Sequence, residues 1–192
     1  MTHGTSTGVS HRRRINWRIL GWGAAVVLIL HPLVAMQFTS EVNWNAADFI
    51  AAAIMLGSVG LGLELAVRRG NRAYTIAAAL ALLVSFLSFW FTGAVGIIGN
   101  ENEDSNALFL GVIAIALAGS FIALFRPAGM AVAMIAAAVA QASVPVVASI
   151  IGDSKMAAIW APEVIILTLV FTAMWLASAR LFRNAAQAVT RA

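Results

Sequence analysis

The chain has 192 residues, 61% of them hydrophobic and 10% charged, with mean hydropathy +0.91 and a formal net charge of +4, whereas a soluble domain carries roughly 25% charged residues. Too few polar side chains are present to cover a water-facing surface, so lipid is the expected solvent. The lack of cysteine excludes disulfide frameworks, thiolate zinc sites, iron–sulfur clusters and cysteine nucleophiles.

In chain order, residues 1–18 read as a disordered basic cytoplasmic tail, ending in Arg12, Arg13, Arg14 and Arg18, held near anionic lipid. A signal peptide over 11–36 is the rival reading, disfavoured by the long apolar run and the missing small-x-small cleavage site. A helix needs about 20 apolar residues to cross a hydrocarbon core of about 30 Å. Runs of that kind follow at 19–38, 46–67, 75–98, 107–125, 128–151 and 159–179, and a second basic cytoplasmic tail occupies 180–192. Backbone polar groups find no water in hydrocarbon, which requires helices. The expected fold is an all-α membrane protein, a six-transmembrane-helix bundle.

The ends of these runs carry matching signals. Asn45 with Asp48 resembles a capping box opening the second span, and Asn106 is placed to cap the fourth. Gly99 and Gly152 stand where helix ends favour a left-handed residue, and Pro127 suits a first turn. Trp17, Trp22, Trp44, Trp160 and Trp175 fall near expected interfaces, with Trp90 deeper. Gly57, Gly60 and Gly62 loosen the middle of the second span, and Gly93, Gly96 and Gly99 mark a distorted outer end of the third.

Arginine sets the orientation. Beyond those of the first tail, Arg68, Arg69 and Arg72 follow the second span, Arg126 the fourth, and Arg180, Arg183 and Arg191 the sixth. The opposite loops hold Lys155 among Glu41, Asp48, Glu101, Glu103, Asp104, Asp153 and Glu163. By the positive-inside rule both termini are expected in the cytoplasm.

Few polar residues remain inside the oil. His31 beside Pro32 has two readings: a proton carrier or ligand contact at a kink, or a neutral ring filling the space that the kink opens. Gln141, Ser85, Ser88, Thr92, Thr168 and Thr172 join it as a candidate polar seam, against which stands ordinary interhelical hydrogen bonding. Gln141 and Ser143 are placed to meet the carbonyl that Pro145 frees. Glu64 and Arg68, four apart in the favourable order, predict an interfacial ion pair. Asp48 and Glu163 suit first turns. Glu101, Glu103 and Asp104 form a weak candidate cation loop, without EF-hand spacing. The small side chains of 128–151 suit a central helix.

No Gly-x-Ser-x-Gly, His-Glu-x-x-His or phosphate-loop pattern occurs. Neither a cofactor nor a resident metal is expected, although haem ligation by His31 with Met36 or Met55 is chemically allowed. The arginines lack interleaved aromatics, so nucleic acid is not an expected partner. The runs "HPLVAMQFTSEVNWNAADF" and "TGAVGIIGNENED" together resemble small hypothetical inner-membrane proteins of proteobacteria, which implies a bacterial inner membrane and no particular chemistry. The expected role is an accessory or oligomerising subunit, partnered by lipid and by its own copies or other membrane subunits. The alternative is a small carrier or channel for protons, cations or a small neutral solute, and the third reading is a lipid- or cofactor-binding membrane protein.

Overall fold

The computed structural model describes residues 17–39, 43–69, 71–100, 103–151 and 155–190. Among them the chain is helical with no strand: α1 Trp17–Ala35, α2 Ala46–Arg68, α3 Arg72–Ala94, α4 Ala107–Ile122, α5 Pro127–Ile151, α6 Met156–Ile159 and α7 Pro162–Thr190, with a single 3₁₀ turn at Asp104–Asn106. Six helices are long and apolar enough to cross a membrane; the short α6 is not one of them. Most of the first tail lies outside the described residues. The chain divides into two compact units, residues 1–60 and 61–192, with the boundary inside α2.

In the first unit, the expected capping box is present. The Asn45 carboxamide oxygen accepts from the Ala47 and Asp48 amides at 2.7 and 3.3 Å, and Asp48 accepts from the Asn45 amide at 2.8 Å. These bonds satisfy donors that every helix start leaves open. The Trp22 ring lies against Gly60, where an added Cβ would stand 3.1 Å from the indole. Pro32 sits within α1, and no residue of the apolar window of α1 is fully buried.

The second unit is built around α7, which packs along both α5 and α3, while α4 packs on α5 and less extensively on α3. Two hydrogen bonds fix α7 antiparallel to α3: Ser178 Oγ donates to the Ala77 carbonyl at 2.8 Å, and Asn71 Nδ2 to the Ala185 carbonyl at 3.5 Å. Tyr74 meets Phe182 edge to face at 5.0 Å. Between α4 and α5 the contact is so close that a Cβ on Gly119 would stand 2.7 Å from Ala133 Cβ, and one on Gly129 2.6 Å from Ala123 Cβ. Small residues permit that approach where lipid supplies no hydrophobic drive between helices. The core is filled by Phe109, Met134, Phe171, Trp175 and Phe182.

Several boundaries differ from expectation, each for a local reason. α7 runs to Thr190 and not to 179, because Phe182 and Ala185 are buried against the start of α3; the described part of the second basic tail is therefore helical. α3 ends at Ala94, where the Gly96 amide closes onto the Phe91 carbonyl at 2.9 Å and Gly96 takes φ +78°. Gly99, also at positive φ (+67°), belongs to the loop beyond, and Gly152 lies outside the described residues. α2 is continuous through its glycines; Gly60 and Gly62 admit Trp22 and Leu82. Trp175 is wholly buried, and Trp90 is exposed.

Candidate functional site

The interior of the second unit holds the polar residues without partners. Ser88 Oγ and Thr92 Oγ1 on α3, Gln141 Oε1 and Nε2 on α5, and Thr168 Oγ1, Thr172 Oγ1 and Trp175 Nε1 on α7 are buried and make no hydrogen bond. Thr168, Thr172 and Trp175 recur at helical spacing on one face of α7, as Ser88 and Thr92 do on α3. Depth follows from helical rise. Counted from the Ser178–Ala77 bond, Thr168 and Ser88 lie about 15 and 16 Å along their helices. Met134 and Trp175 line one cavity, and Gln141 and Thr168 each stand about 10 Å beyond those residues. Ser88, Gln141 and Thr168 therefore occupy one level, supplied by three helices.

Leaving a buried polar group unpaired costs about 1–3 kcal/mol. A hydroxyl on a helix commonly relieves this by donating to the carbonyl one turn back, as Ser85 does to Ala81 at 2.8 Å and Ser120 to Ala116 at 2.7 Å. The Gln141 amide makes no such bond, and it brings two donors and an acceptor to this level. The environment is neutral: no ionisable side chain stands among these residues.

Not all of the expected seam assembles here. Ser85 is turned to its own helix. His31 belongs to the first unit and is exposed there. Pro145 is enclosed within α5, but Ser143 donates to the Ala140 carbonyl at 2.8 Å and the Gln141 side chain makes no bond; neither meets the carbonyl that the proline frees. Trp175, read from sequence as an interface residue, closes the set.

The interfacial ion pair is present, Arg68 Nη2 to Glu64 Oε1 at 2.7 Å. The expected cation loop is organised differently. Glu101 lies outside the described residues, and among the described ones no three His, Asp or Glu side chains converge on a common point. Asn106 does not cap α4 with its side chain. It is buried and turned back over the preceding loop, accepting from the Ile97 and Ile98 amides at 2.8 Å each and donating to the Ile98 and Asn100 carbonyls at 3.1 and 2.7 Å.

A second arrangement that sequence reading missed sits at the arginine-rich end. The Phe125 carbonyl accepts from Tyr74 Oη at 2.9 Å and Arg69 Nη1 at 3.1 Å, and the Arg69 guanidinium lies 5.2 Å from the Tyr74 ring centroid. Nothing in the spacing of residues 69, 74 and 125 announces this; only the α2–α3 and α4–α5 turns bring them together.

No protein-family model, curated protein or solved structure matches the chain.

Proposed function

We propose that this is a multi-pass protein of a bacterial inner membrane, with both termini cytoplasmic, that carries a small neutral hydrogen-bonding solute between α3, α5 and α7. The observation that carries the reading is the enclosed Gln141 amide, unpartnered at the level of Ser88 and Thr168. A neutral donor and acceptor set suits a neutral solute, since a charge placed there would have no counter-ion in a low-dielectric interior. Protons and cations are thereby disfavoured as cargo, since no member of the set is a side chain that titrates near neutral pH. Because these groups are enclosed, passage requires helix movement, and Pro145 within α5 supplies a point of bending. The orientation is supported by Arg68, Arg69, Arg72 and Arg126, which lie at helix ends, and by Arg180 and Arg183 in the C-terminal part of α7.

Stopped-flow swelling of proteoliposomes in urea or glycerol tests this. The expected result is protein-dependent permeability, lowered at least tenfold by Gln141→Leu and by Thr168→Val. Permeability equal to that of empty vesicles, or indifferent to both changes, would overturn it.

A second reading, the accessory subunit, is favoured by a groove of about 460 Å³ between α4 and α5, where Gly111, Ala140 and Ser143 leave room for a close helix. Native mass measurement in nanodiscs should then find a dimer or a co-purified subunit, and a strict monomer would dismiss it.

A further inference from the structure

At the arginine-rich end of the second unit, a cavity of about 250 Å³ is lined chiefly by apolar side chains, among them Leu65, Ala78, Leu82, Leu117, Met134 and Trp175. It falls below the roughly 300 Å³ at which drug-sized pockets begin, so it has room for part of one acyl chain and not for a whole two-chain lipid. Leu65 and Leu117 on its rim are each 54% exposed, so the cavity opens sideways onto the apolar surface where acyl chains lie. Arg69 and Tyr74 also line it. Among the described residues Arg69 forms no salt bridge, its neighbour Arg68 being the partner of Glu64; it meets the Phe125 carbonyl and the Tyr74 face. Deeper in, the Trp175 indole N–H is buried and has no acceptor.

We propose that this cavity binds one acyl chain ending in an anionic head, with the head on Arg69 and the chain running inward toward Trp175. The reasoning is complementarity. An apolar slot open to lipid selects a chain, and an exposed guanidinium without a carboxylate, held at its mouth by Tyr74 and the Phe125 carbonyl, selects an anion over a neutral head. Arginine beside a membrane surface is attracted to acidic headgroups in any case; the slot adds the requirement for a free single chain. The site shares Trp175 with the unpartnered set but lies about 10 Å from Gln141 along α5, and it does not depend on solute passage.

Quenching of tryptophan fluorescence by dibromostearic acid, in full-length protein held in nanodiscs, tests the assignment. Saturable quenching is expected, at least tenfold tighter for the acid than for the matching dibromostearyl alcohol, and smaller in amplitude in Trp175→Phe. Arg69→Gln should erase the preference for the acid, and Ala78→Phe should abolish saturable quenching by both. Should Ala78→Phe fail to fold, the exposed Arg69→Gln change decides alone. Equal affinity for acid and alcohol, a preference that survives Arg69→Gln, or displacement of the acid by millimolar inorganic phosphate would each overturn the proposal, the last by showing an anion site that needs no chain.

Discussion

The hydroxyl of Tyr74 donates to the backbone carbonyl of Phe125 at 2.9 Å, tying the first turn of α3 to the α4–α5 connection. Arg69 supplies a second donor to the same oxygen. Tyr74→Phe should lower the midpoint of thermal unfolding by an amount equivalent to about 1 kcal/mol. The double variant with Arg69→Gln should lose more than the two single losses added, because only then is the carbonyl bare. Strict additivity in a double-mutant cycle would show that the two donors act independently.

The turn held by this carbonyl is strained. Leu124 and Phe125 take φ +49° and +55°, the left-handed region that costs a branched or bulky residue roughly 1–2 kcal/mol. Leu124 is exposed, so Leu124→Gly removes little packing. We expect a gain of up to about 1 kcal/mol, after allowance for the freer unfolded chain. A loss of stability on that change would mean that the strain is smaller than the angles imply.

Asn106 should be among the least replaceable polar residues. Asn106→Ala strands two amides and two carbonyls around Ile97 and Asn100 and should cost about 3 kcal/mol or more, and Asn106→Asp should be no milder, because its second oxygen would face the Ile98 and Asn100 carbonyls in a buried site. Hydrogen exchange at Ile97 and Ile98 reports the effect locally. Unchanged protection in the alanine variant would show that the loop holds itself.

Gln141→Leu should raise stability while lowering solute permeability. The leucine has nearly the same volume, and removing an unpaired buried amide returns roughly 1–3 kcal/mol. A destabilised variant would instead mean that the amide is satisfied in the membrane.

Gly119→Val should weaken the α4–α5 contact by about 1–3 kcal/mol, since the first added carbon already meets Ala133. Gly111→Val, where an added Cβ meets nothing within 4 Å, is the control and should be close to neutral.

Sequence reading reached the helices because lipid leaves few alternatives: an apolar run bounded by charge becomes a spanning helix whatever its neighbours. The Asn45–Asp48 box and the Glu64–Arg68 pair were legible for a similar reason, since both lie within one turn. Hydroxyls on α3 and α7 could be grouped by spacing, and Ser88, Thr92, Gln141, Thr168 and Thr172 each hold a buried polar atom without a hydrogen bond. What could not be read was direction. Ser85 stands on the same stripe as Ser88 but bonds to its own helix, and α7, which runs about three turns beyond 179, holds Trp175 in the core and not at an expected surface. Asn106 was misread because its best partners lie upstream, in a loop whose path no periodicity encodes. The grouping of Arg69, Tyr74 and Phe125 is a product of two turns meeting, which linear spacing does not record.

α7 runs for 29 residues without an internal glycine or proline, so it has no weak point at which to bend. By helical rise it measures about 43 Å against a hydrocarbon thickness of about 30 Å. One unbroken helix thus carries both the exposed Arg183 and the buried Thr168, so the two ends have no hinge of proline or glycine between them at which to move apart.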